Sequence, residues 1–219
     1  MFTQWCWNTL TISFLLNGFI ALQYHYHNEN PNRQSGSTPL LLQNSTVKLA
    51  IMIFEIAAPT SMLVSTVTKY VLWPQALKSN PQGSINLRKP IAILQHNLNV
   101  VGTLMEVGVL SRIQVRPGDY CLALLYGIAY ISFMYGIRSH HKDPEGKRVR
   151  EPQFVYFFFD TTLGTAFVVK VLLVLMFVLE TFYGLFTIVD DVLVYLGGGV
   201  CMNLAVVGAL ATFFCRFRD

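Results

Sequence analysis

The sequence predicts an all-α fold, a polytopic transmembrane helix bundle of about six spans forming one domain over residues 1–219. Three observations predict it. Of the 219 residues 53% are hydrophobic and only 13% charged, against roughly 25% charged in an ordinary globular domain. The apolar residues fall into runs of about 20 or more, the length needed to cross a hydrocarbon core of roughly 30 Å. Between the runs lie polar stretches rich in Asn, Pro, Gly, Ser and basic residues.

Six segments follow in order. Helix A is expected over about 3–24, without the basic flank or small-residue cleavage site of a signal peptide, and a solvated loop over 25–47 follows it. Helix B is expected over about 48–73, kinked at Pro59 and stopped at the interface by Trp73-Pro74. Pro90 suits the first turn of helix C, over about 90–111. Pro117-Gly118 marks a short turn into helix D, over about 119–137, which makes C and D antiparallel neighbours. The most charged segment, Arg138 to Pro152, runs into an aromatic cluster, Tyr156 to Phe159. Helix E is expected over about 161–188 with Asp160 as its N-cap, and helix F over about 192–214, the break falling at Asp190-Asp191.

The net charge of +4 comes from basic residues in short loops beside the spans, which points to membrane orientation and not to nucleic acid. One side collects ten: Lys78, Arg88, Lys89, Arg138, Lys142, Lys147, Arg148, Arg150, Arg216 and Arg218; the other has four: Arg33, Lys48, Arg112 and Arg116. An integral membrane protein of the endomembrane system or plasma membrane is expected, with its C-terminus cytosolic and the 25–47 loop, including the acceptor triplet Asn44-Ser45-Thr46, on the far side. Cys6, Cys121, Cys201 and Cys215 lie in apolar stretches without CxxC spacing, so buried thiols are expected and neither a disulfide framework nor a zinc site.

Ionisable groups are costly in a bilayer and usually face the bundle interior. On helix C, His96, Asn99, Thr103 and Glu106 fall within a sector of about 80° at helical spacing. Two readings stand side by side: a reactive face with His96 as base and acid and Glu106 as orienting group, or polar glue between helices. Helix A opens with Thr3, Gln4, Asn8 and Thr11 on one side, and Thr3 and His96 lie at similar depth, so a histidine-activated threonine is conceivable. Glu55 and Lys69 are too far apart to pair along helix B and are expected to find partners on other spans. Lys170 and Glu180 are read either as pairing elsewhere or as marking a half-buried helix. His25, His27, His140 and His141 read as loop histidines, and Gly197-Gly198-Gly199 as a site of close packing or a bend.

Several blocks in order carry a family resemblance: Phe2-Thr3-Gln4-Trp5, Trp73-Pro74, His96-Asn97-Leu98-Asn99 with Glu106 ten residues after the histidine, Tyr130-Ile131-Ser132-Phe133, and Tyr156-Phe157-Phe158-Phe159-Asp160. The chain resembles the androgen-induced-gene and rolling-stone-like superfamily of multi-pass membrane proteins, nearest its plant-like members, over roughly residues 2 to 160. The resemblance implies an integral membrane hydrolase that cleaves esters of the fatty acid ester of hydroxy fatty acid type. On this footing Thr3 is the nucleophile, His96 the base, and Asn99 or Glu106 a support. A bilayer and a lipid-like substrate are its partners, with no metal or organic cofactor, no nucleic acid and an oligomeric state left open. The alternative expectation is a non-enzymatic membrane protein of transport, signalling or cell–cell contact.

Overall fold

The computed structural model describes residues 2–29, 44–79, 85, 87–110, 113–137, 156–160, 163–197 and 199–216. It is helical, with no strand among the described residues. In order come α1 (Phe2–Glu29), α2 (Asn44–Val67), a π-helical turn (Thr68–Leu72), α3 (Trp73–Ser79), α4 (Pro90–Met105), a second π-turn (Glu106–Leu110), α5 (Cys121–Ile137), α6 (Thr165–Tyr195) and α7 (Val200–Phe214). Three stretches are long and apolar enough to cross a membrane, Phe2–Tyr26, Ser45–Lys78 and Thr165–Leu193, and Val200–Phe214 is a shorter apolar helix.

The chain is built around α2, of whose most apolar window 61% is buried, against 17% and 22% in α1 and α6. Small side chains explain this: Ala57, Ala58, Thr60 and Ser61 are all fully buried, and small residues let helix backbones approach closely where no hydrophobic force separates helix from lipid. Phe54 and Met62 fill the space against Val100 and Leu104 of α4 and Phe182 and Phe186 of α6. The outward faces of α1 and α6 are apolar and exposed, as at Leu15, Phe19, Leu173 and Phe177.

Tertiary bonds tie the ends together in an alternating pattern. Lys69 Nζ donates to the carbonyls of Thr212 and Phe213 (3.0 and 2.6 Å), Tyr70 Oη to Phe213 O (2.8 Å) and Ser65 Oγ to Phe214 O (3.0 Å), so the end of α2 satisfies the orphan carbonyls at the end of α7. Asn97, near the start of α4, holds both backbone groups of Arg216, donating to its carbonyl (2.6 Å) and accepting from its N–H (3.1 Å). At the opposite end, buried Glu55 of α2 accepts from the backbone N–H of Arg116 (2.8 Å) and from its Nε and Nη2 (both 3.1 Å). That hydrogen-bonded carboxylate raises the Arg116 guanidinium above its ordinary value. Arg116 also pairs with Asp119, and its carbonyl accepts from Tyr183 Oη (2.7 Å). Glu55 and Lys69 thus find their partners outside their own helix.

Four expectations are corrected. Trp73-Pro74 does not stop helix B: the π-turn, in which Trp73 N–H bonds Thr68 O, carries the chain past the proline, whose missing N–H cannot continue the ordinary ladder. Trp73 is buried, its ring covered by the guanidinium of Arg216 at 3.8 Å and approached by Arg88 at 5.5 Å. Helix E starts at Thr165, after Gly164 at φ 104°, so Asp160 does not cap it. It also runs through Asp190-Asp191 to Tyr195; the break is at Gly197, whose φ of 60° suits only a residue without Cβ. Cys6 and Cys215 are buried, whereas Cys121 and Cys201 are exposed. The charged 138–152 loop with His140 and His141, Arg112, and the His27 side chain lie outside the described residues.

Candidate functional site

At the end of the bundle where α1, α4 and α6 begin and α2 and α5 finish, an apolar cavity of ≈ 610 Å³, counted to its open mouth, lies between α1, α2, α5 and α6. Leu63, Val67, Ile131, Leu175 and Met176 form much of its wall. Four hydroxyl-bearing side chains also line it: Thr3, Thr68, Tyr130 and Tyr156.

Each of these is placed by local structure. Thr3 sits in the first turn of α1 and is half-buried. The other polar residues of that turn point elsewhere: Gln4, Asn8 and Thr11 are exposed, with Gln4 Nε2 donating to Asn8 Oδ1 at 3.4 Å, so the polar patch expected on helix A divides between cavity and exterior. Thr68 opens the π-turn of α2, an irregularity that often marks functional positions. Tyr130 on α5 is held between Phe2 and Trp5, with ring centroids at 4.6 and 5.5 Å. Tyr156 stacks on Phe158 at 5.3 Å. Burial pushes the Tyr156 phenol above its ordinary value, and the nearby polar groups of Thr3 and Phe2 oppose this.

His96 stands behind the cavity wall, its Nδ1 3.3 Å from Thr68 Oγ1. The Thr68 hydroxyl also donates to Val64 O at 2.8 Å. Having one proton, it can only accept from His96, which fixes the Nδ1–H tautomer and leaves Nε2 with a free lone pair. The structure therefore pairs His96 with Thr68; Thr3 lines the cavity and His96 does not.

The remaining stripe residues face inward but lie deeper. Asn99 is fully buried, with Nδ2 near Gln95 O (3.3 Å) and Cys6 Sγ (3.8 Å). Thr103 bonds Ser61 at 3.0 Å, joining α4 to α2. Glu106 is buried at the start of the second π-turn. Ten residues of helix separate it from His96 by about 15 Å, so it cannot orient the imidazole by contact; Thr68 does that. Lys170 is exposed, and Glu180 is half-buried. Among the described residues no group of three or more His, Cys, Asp or Glu side chains is placed to hold a metal ion.

Thr68 and Tyr156 are absent from the expected site. Tyr156 belongs to the aromatic block Tyr156 to Phe159, which signals its interest but not its place on the cavity wall; nothing in the sequence distinguishes Thr68 from the other hydroxyl residues of helix B. Compared with known protein families, curated proteins and solved structures, the chain matches none of them.

Proposed function

We propose that the chain is a six-span membrane protein that hydrolyses a lipid ester at the cavity, with Thr3 as nucleophile and His96 as general base and then acid. One observation carries the reading: a single apolar cavity has the Thr3 hydroxyl on its wall together with Thr68, the residue that holds His96 in one tautomer. The resemblance of the Phe2–Trp5 and His96–Glu106 blocks to androgen-induced-gene proteins supplies the class of substrate. Alternating contacts between helix starts and helix ends support six antiparallel crossings.

In this reading an acyl chain occupies the apolar wall and its ester carbonyl lies beside Thr3. Thr3 Oγ1 attacks the carbonyl carbon while its proton passes to His96 Nε2, directly or through one water. The tetrahedral intermediate expels the alcohol, which takes the proton from His96. Water then attacks the acyl-threonine, giving its proton to His96, and the acid departs as Thr3 regains a proton. Asn99 and Glu106 support the fold of α4 beneath His96.

The test is labelling of the purified full chain in micelles with a fluorophosphonate probe, paired with cleavage of a long-chain ester. Labelling that disappears in Thr3→Ala and nearly disappears in His96→Ala supports the reading. A wild-type chain that takes no probe and cleaves no ester overturns it, and saturable uptake of acyl chains without turnover would then favour a transport role.

A further inference from the structure

Among the described residues nothing takes the proton of the Tyr130 hydroxyl. The residue is 4% exposed, its ring is packed by Phe2, Trp5 and Phe159, and its Oη has no hydrogen-bond partner of good geometry among the described residues. A buried hydroxyl without an acceptor is costly to maintain, and such groups call for an explanation. The hydroxyl belongs to a residue lining the cavity that Thr3 also lines. The neighbouring Thr68 hydroxyl is committed to Val64 O.

We propose that Tyr130 is the hydrogen-bond donor that receives the carbonyl oxygen of an uncharged ester group held in the cavity. A guest that satisfies the phenol there must bring an acceptor, which a carbonyl does and a hydrocarbon does not. A carboxylate also brings acceptors, but no Lys or Arg is among the residues lining the cavity, and an unpaired charge is far more expensive to bury than a neutral ester. In the hydrolase reading, on which the ester identity rests, the same donor faces the oxygen that becomes negative when Thr3 attacks. The carbonyl contact itself is independent of turnover.

The experiment measures binding and needs no catalysis. The full chain in micelles is loaded with a fluorescent fatty acyl methyl ester, which is displaced by a long-chain methyl ketone, by the alkane of equal length and by the free acid. The ketone has the carbonyl and no leaving group. Wild type should bind the ketone about tenfold more tightly than the alkane, the effect of one additional hydrogen bond. Tyr130→Phe, which keeps the ring, should lower the ketone to the level of the alkane and leave the alkane unchanged. Equal wild-type affinities for ketone and alkane overturn the proposal even if Tyr130→Phe fails to fold. A preference that persists in Tyr130→Phe also overturns it, and a free acid that binds more tightly than the ketone assigns the site to carboxylates instead. Failure of the hydrolase reading would show differently, as an intact ketone preference in a chain that cleaves no ester.

Discussion

Thr68 Oγ1 lies 3.3 Å from His96 Nδ1, and the carbonyl of Val64, 2.8 Å away, sets the direction of that bond. The threonine gives its proton backward to its own helix and offers a lone pair forward. An imidazole held in this way keeps Nε2 available as a base, the task that a buried carboxylate performs in serine hydrolases. A neutral hydroxyl orients the ring without adding a second charge to an apolar wall.

Removing that hydroxyl should therefore release the tautomer. In the full chain with ¹⁵N-labelled histidine, wild type and Thr68→Ser should show the Nδ1–H form of His96, and Thr68→Val a mixture of both forms. Ester cleavage should fall about tenfold or more in Thr68→Val, part of the two to four orders that a positioned base contributes, and recover in Thr68→Ser. An unchanged tautomer in Thr68→Val would show that something else orients the ring.

Glu55 is fully buried and bonds Arg116 by three donors, while the Arg116 side chain remains 39% exposed. The exposed guanidinium moderates the strength of the pair. Glu55→Gln should destabilise the chain by about 1.5–3 kcal/mol, as expected for losing hydrogen bonds to a charged group, read as a lower melting temperature in detergent. Ligand displacement at the cavity, at the other end of the bundle, should be little affected once the protein is folded.

The helical segments could be read from the sequence because apolar length and polar interruption depend on nearby residues. Helix C could be read down to its polar face for the same reason. Helix arithmetic also separates Glu106 from His96, although shared sector and shared depth are easily confused. The structure departs from the reading where the outcome depends on distant chain. Gln4, Asn8 and Thr11 resemble an inward stripe until α2 and α5 are placed on the opposite side of α1. Asp190-Asp191 interrupts hydropathy but not the helix; Asp191 is exposed near the end of α6. Thr68 gains its meaning from a π-turn and from a histidine 28 residues away.

Gly108 lies where the second π-turn meets α7. A Cβ added there would fall 2.7 Å from Val207 Cγ2, and its carbonyl accepts from Asn203 Nδ2 at 2.7 Å. Valine is stiff about its first side-chain torsion and cannot turn away freely. Gly108→Ala should destabilise the chain by about 1–3 kcal/mol, the usual cost of overpacking. Val207→Ala should restore part of the loss in the double variant, and simple additivity of the two losses in thermal unfolding would argue against the contact.

The six-crossing arrangement makes a prediction about α4 in particular. Its sixteen residues and the five of the following π-turn cover about 30 Å at helical rise, sufficient for a hydrocarbon core. Lys78 precedes this stretch and Gln114 follows it, and both are exposed. If α4 crosses, cysteines at these two positions lie on opposite faces of the membrane. From the ten-to-four distribution of basic residues Lys78 is expected in the cytosol and Gln114 outside it. The test uses Lys78→Cys and Gln114→Cys in chains whose exposed Cys121 and Cys201 are replaced by serine. An impermeant maleimide added to sealed cells or vesicles should reach only one of the pair, and permeabilisation should expose the other. Labelling of Gln114→Cys from outside fixes the orientation as proposed, with the cavity facing the cytosol; labelling of Lys78→Cys from outside inverts it and leaves six crossings intact. If both cysteines react from the same side, α4 does not cross, and the six-span reading fails.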